Sequence, residues 1–166
     1  MRAFAEWLYG TTPSVAIHST LWLIRSLQAA HLLTAGVVAA SGLLIALRAL
    51  RWFRADETFE TVWKRFAPWL VWGLAVMAVT GLAQTLGDPV REFTATSYWV
   101  KLLLLCGCVA GTLSLVRVAR RAATAEFSTA AKLIAAALIL AWLAIPLLGR
   151  MIGYDLAIWG RLSLRT

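Results

Sequence analysis

Residues 21–52 read LWLIRSLQAAHLLTAGVVAASGLLIALRALRW. Between Arg25 and Arg48 the only ionisable side chain is His31, and the run exceeds the ~20 apolar residues that cross the hydrocarbon layer as a helix. Three further runs of the same kind follow at 66–86, 98–118 and 130–153. The chain of 166 residues is 61% hydrophobic and 14% charged, too apolar for a water-soluble core. Short loops join the runs, so the expected fold is all-α: one integral membrane four-helix bundle occupying 1–166 as a single domain.

Ahead of the first run, Phe4, Trp7 and Leu8 recur at helical spacing before Gly10 and Pro13 interrupt them. That pattern predicts a short N-terminal interfacial helix over the mouth of the bundle. Pro13 suits a first-turn position, so the first long helix is expected to begin near Ser14 and to project from the bilayer or tilt. The N-terminus lacks the basic flank, short apolar run and cleavage site of a signal peptide, so the first span is expected to be retained.

The net charge of +8 does not point to nucleic acid, because the basic residues stand at the ends of apolar runs and form no amphipathic face or basic tail. Arg48, Arg51, Arg54, Lys64 and Arg65 lie between the first two spans, and Arg117, Arg120, Arg121 and Lys132 between the last two. The other side carries a sparser mixture: Arg2 and Glu6, then Asp88, Arg91 and Glu92, then Asp155, Arg161 and Arg165. By the positive-inside rule the basic loops are cytoplasmic, which predicts both termini periplasmic in a bacterial inner membrane.

Trp22, Trp52, Trp63, Trp69, Trp99 and Trp159 cluster near span ends, where indoles favour the interface, while Trp72 and Trp142 sit deeper and read as packing residues. Gly107-x-x-x-Gly111 is a small-residue packing motif, suited to close approach within the bundle or to a homodimer. Pro146 should kink the last span. Cys106 and Cys108 would splay to different helix faces, against a disulfide or a shared copper.

Ionisable and amide side chains inside apolar spans face a cavity or a partner, because exposure to hydrocarbon costs several kcal/mol. Here they are Arg25, Gln28 and His31 in the first span, Gln84 in the second, Lys101 in the third and Arg150 in the fourth. Arg25, Gln28 and His31 follow a spacing of three, a stripe of about 9 Å from the headgroups toward midplane. Arg25, Lys101 and Arg150 can reach one level, where an anionic or polar partner would suit them: porphyrin propionates, a quinone's carbonyl oxygens or lipid phosphate. A neutral imidazole at this depth suits haem iron or another transition metal, which makes His31 the candidate metal ligand; a hydrogen bond across helices is its bland alternative. His18 lies about 20 Å away if one helix carries both, and reads as interfacial. The two glutamines suit interhelical hydrogen bonds. No phosphate loop, carboxylate pair or activated nucleophile is present to suggest a hydrolase or nucleotide enzyme.

The stretch Phe4-Ala-Glu-Trp-Leu with Thr12-Pro13-Ser14, then Gln28-Ala-Ala-His31, Pro68-Trp69, Thr80-Gly81, Tyr98-Trp-Val-Lys101 and Gly149-Arg150, resembles a bacterial family of uncharacterised four-helix membrane proteins defined as a domain of unknown function. In that family an acidic residue often stands three before the histidine; here Gln28 takes that place. More distantly, His31 and Tyr98-x-x-Lys101 look like the membrane core of the copper-resistance protein D family and the four-helix bacterial protoporphyrinogen oxidase. The latter likeness implies haem b held by His31 with Lys101 near the porphyrin, and the former implies periplasmic copper handling. Together these observations lead to the expectation of a haem b- or quinone-associated redox protein. In it His31 is an axial ligand, Gln28 lies beside the site, and Arg25, Lys101 and Arg150 are the charge partners. The alternatives are a copper-handling or small-solute transport protein, and a non-catalytic subunit docked on a larger membrane complex.

Overall fold

The computed structural model describes residues 1–121 and 127–164; Arg165 lies outside the described residues. The helices are α1 (Arg2–Tyr9), α2 (Thr12–Ser19), α3 (Leu21–Ala49), α4 (Phe59–Gly87), α5 (Pro89–Phe93), α6 (Thr96–Arg121), α7 (Thr129–Met151) and α8 (Asp155–Trp159). Four of them, α3, α4, α6 and the α7-to-α8 segment, are long and apolar enough to cross a membrane. Leu32, Leu33, Val79, Leu82, Leu103 and Leu140 each stand more than 60% exposed around the bundle. So much outward apolar surface is compatible with lipid and not with water, and the chain is a multi-pass membrane protein.

Local chemistry sets where each helix begins. Thr58 and Ser128 cap α4 and α7, their hydroxyls accepting from the backbone N–H of Thr61 (3.2 Å) and Ala131 (3.3 Å). Asp88 caps α5 by accepting from the Arg91 N–H at 3.2 Å, with Pro89 in the first turn where its missing N–H is harmless. These caps carry α4 well beyond the apolar run, back to Phe59. At the start of the bundle the expected continuous helix from Ser14 is instead two helices. Thr20 adopts extended backbone (φ −101°, ψ 90°) between α2 and α3 while its hydroxyl donates to the Ala16 carbonyl at 3.0 Å, a local side-chain bond that competes with helix continuation.

Helix α3 packs along both α4 and α7, and α6 packs along α7; α4 and α6, though consecutive, touch only sparsely. The shared core draws Val38, Ile45 and Ala46 from α3, Leu70 and Met77 from α4, Cys108 and Leu115 from α6, and Ala135, Leu138 and Trp142 from α7. Lipid is as apolar as these side chains, so close van der Waals fit holds the helices together. A Cβ at Gly42 would fall within the Trp142 indole, and one at Gly73 would meet Val38 Cγ2 at 2.6 Å. Gly111 packs on Leu138 whereas Gly107 faces open space, so the Gly-x-x-x-Gly pair is divided between the interior and the periphery. Trp142 is buried, as expected; Trp72 is not a packing residue but stands 73% exposed on the outside of α4.

Both termini and α5 share one end of the bundle, hereafter the terminal face. Phe4 of α1 packs on Phe93 of α5 with ring centroids 6.1 Å apart, and the C-terminal segment folds over the start of α6. There the Asp155 carboxylate, fully buried, accepts four hydrogen bonds: from Thr96 N (3.1 Å), Ser97 N (2.8 Å), Ser97 Oγ (2.7 Å) and Ser163 Oγ (2.6 Å). It serves α6 as an N-cap delivered from the far end of the chain, satisfying backbone donors that membrane burial would otherwise leave unmet. The Trp159 indole N–H adds a bond to Ser97 Oγ at 2.8 Å.

At the opposite face, Arg51 and Arg54 take left-handed backbone (φ 62° and 47°) in the turn after α3, which side chains other than glycine adopt at a cost. The buried Arg48 side chain donates from Nε to the Glu57 carbonyl at 2.8 Å, and the Glu57 carboxylate pairs with Arg54 and Arg65. The charges that read as a topology signal thus also fasten the turn.

Candidate functional site

His31 lies on α3 where that helix faces α4, half-buried. Its Nδ1 is 2.9 Å from Thr80 Oγ1. Thr80 Oγ1 has one proton and stands 2.8 Å from the Val76 carbonyl, which can only accept. The hydroxyl therefore donates to Val76 and accepts from His31 Nδ1–H, a back-bonded threonine geometry that helices favour. In the neutral ring this arrangement puts the proton on Nδ1 and leaves Nε2 its lone pair. Against the ring lies Gly81: a Cβ there would come within 3.2 Å of His31 Cε1. The dipeptide Thr80-Gly81 thus orients the ring with one residue and makes room for it with the other.

Lys101, near the start of α6, is the cation that acts electrostatically on the His31 imidazole. Its ammonium sits 5.7 Å from the Tyr98 ring centroid, in cation–π range, and its side chain passes close to Gly149 of α7, whose Cβ would meet Lys101 Cδ at 3.8 Å. Glu92, on α5, is within electrostatic reach of Lys101, whose own helix carries no acid. The hydroxyls of Tyr98 and Thr85 stand 3.4 Å apart where α6 meets α4.

The other expected site residues are placed differently. Arg25 and Gln28 are exposed on α3, and neither makes a hydrogen bond or ion pair with a described residue. Gln84 donates to the Thr80 carbonyl of its own helix at 3.2 Å instead of bridging to another. Arg150 is exposed at the end of α7 and lines, with Arg91, Gly149, Gly153 and Tyr154, an open cavity of about 450 Å3. His18 stacks on Tyr9 with centroids 4.4 Å apart and planes within 6°, away from His31. Cys106 is exposed and Cys108 buried, so the two sulfurs occupy different surroundings.

Among the described residues, no three His, Cys, Asp or Glu side chains converge to hold a metal ion. The donor set is a single imidazole held by Thr80, with Lys101 of α6 within electrostatic reach. Such a set fits a cofactor that brings its own equatorial ligands and asks the protein for one nitrogen, and Gly81 lets the imidazole pack directly on α4. In the sequence Thr80 and Gly81 are only part of a motif; the hydrogen bond to Thr80 and the packing of the ring on Gly81 follow from the pairing of α3 with α4, which no spacing rule exposes. Comparison with family models, curated proteins and solved structures gave no match.

Proposed function

We propose that the chain is a haem b-associated membrane redox protein in which His31 Nε2 is the axial ligand and Lys101 neutralises a porphyrin carboxylate. The observation that carries this reading is the His31–Thr80–Val76 hydrogen-bond chain, which in a neutral ring favours the tautomer with Nε2 bare. Ligating histidines commonly donate their other ring N–H to a neighbouring acceptor, which orients the ring and makes it more basic. Haem bound there would supply one-electron transfer; the protein's own part is to hold the imidazole, to balance charge through Lys101 and to exclude water with the apolar spans.

The same tautomer bears on a quinone. A bare Nε2 cannot donate to a quinone carbonyl, but it can accept a hydroxyl proton from a quinol, so a quinol partner would use His31 as an acceptor. No group of three His, Cys, Asp or Glu side chains forms among the described residues, so a haem, which brings four nitrogen ligands of its own, is favoured over copper at His31. The distant likeness of His31 and Tyr98-x-x-Lys101 to the protoporphyrinogen oxidase core supports the same reading.

The proposed setting is a bacterial inner membrane with the terminal face periplasmic, because Arg48, Arg51, Arg54 and Arg65 crowd the opposite end. Haemin titration of the detergent-purified protein tests the function: one equivalent bound with a b-type spectrum is expected, and no Soret band after supplementation would sink it. Reporter fusions at Leu164 and in the turn between α3 and α4 test the topology, with periplasmic and cytoplasmic activity expected respectively.

A further inference from the structure

We propose that the cavity between α5 and the end of α7 binds the phosphate of an anionic lipid headgroup. Its lining of Arg91, Gly149, Arg150, Gly153 and Tyr154 encloses about 450 Å3 at the terminal face, and His31 and Lys101 are not part of it. Two guanidinium groups come to it from different elements, Arg91 from α5 and Arg150 from α7. Arg150 makes no hydrogen bond or ion pair with a described residue, so its planar fork is available for bidentate pairing with phosphate oxygens. Gly153 brings the start of the C-terminal segment to Arg91: a Cβ there would stand 4.0 Å from Arg91 Nη2, in ordinary contact. The Tyr154 phenol lies on the rim, 60% exposed, and offers a hydroxyl donor.

Depth selects the ligand. Arg91 sits in α5 between two spans and Arg150 in the last turn of α7, at the end of the bundle where the Trp99 indole N–H, expected at headgroup level, donates to the Phe93 carbonyl of α5 at 3.0 Å. A phosphate held there is at the height of lipid phosphates, with its acyl chains free to run down the apolar bundle. This assignment is independent of whether His31 binds haem.

Native mass spectrometry on the intact protein, incubated with phosphatidylglycerol or with phosphatidylcholine of the same chains, tests it. The wild type should retain phosphatidylglycerol preferentially, and Arg91→Gln and Arg150→Gln should each lower retention about fivefold, roughly the effect of one basic residue near an anionic surface. His31→Ala should leave retention unchanged. Arg91→Lys with Arg150→Lys, which keeps the charge and removes the forks, should give an intermediate result and guards against a folding defect in the glutamine variants. Displacement by inorganic phosphate would support the same phosphate chemistry with a soluble source, and resistance to it the lipid. Unchanged retention in the double glutamine variant, or displacement by acetate as readily as by phosphate, would overturn the proposal.

Discussion

His31 Nδ1 and Thr80 Oγ1 face each other at 2.9 Å across the α3–α4 contact, and the hydroxyl already has its proton on the Val76 carbonyl. The direction of both hydrogen bonds follows from that one carbonyl, which cannot donate. A residue in one helix thereby decides the protonation pattern of a residue in another, separated from it by 49 positions.

Thr80→Val removes the acceptor while keeping the shape. The ring loses its fixed tautomer, and affinity for haemin should fall by about 10- to 100-fold, the range for lost outer-shell partners of ligating histidines. Thr80→Ser should restore most of it. Titration followed at the Soret band checks the pair, and equal affinity in all three proteins would remove Thr80 from the site.

Gly81→Ala sets a methyl group at 3.2 Å from His31 Cε1, tighter than ordinary contact, so the ring must tilt. A modest loss of haemin affinity is expected, with Gly81→Leu abolishing binding while the protein stays folded by circular dichroism. Full binding by the leucine variant would show that the ring is free to move.

Asp155→Ala leaves four donors of α6 and the C-terminal segment without their acceptor. Unmet buried donors cost about 1–3 kcal/mol apiece before relaxation, so a net loss of about 3 kcal/mol or more is expected. Asp155→Asn should lose less, because one amide oxygen still accepts. Unfolding by denaturing detergent measures both, and an alanine variant as stable as the wild type would contradict the cap.

Gly42→Ala should force the Trp142 indole from its seat between α3 and α7. Overpacking of this kind costs about 1–3 kcal/mol. The same unfolding assay reads it, with Trp142→Phe as the compensating second change; the double variant should recover part of the loss.

The four spans could be read from the sequence because each is a long run with charges only near its ends, and hydrocarbon length sets a threshold that few other segments reach. Their true ends depended on caps. Thr58 and Ser128 cap locally and follow familiar patterns, but Asp155 reaches α6 from 58 residues away and looked like a loop charge. The break at Thr20 has neither glycine nor proline to announce it. Trp72 and Trp142 are both mid-run, yet one faces out and the other in, since helices that are apolar all round carry no stripe to tell their faces apart. His31, Lys101 and Arg150 stand out in the sequence as polar residues in apolar runs, whereas the pairing of His31 with Thr80 and the cavity that Arg150 shares with Arg91 depend on helix packing.

An ultraviolet–visible spectrum of the haemin-supplemented protein, oxidised and then dithionite-reduced, beside His31→Ala, tests the central claim most directly. A Soret band with a b-type α band on reduction, present in the wild type and lost in the variant, is the expected result. Identical spectra in the two proteins, whether blank or haem-like, would contradict ligation by His31.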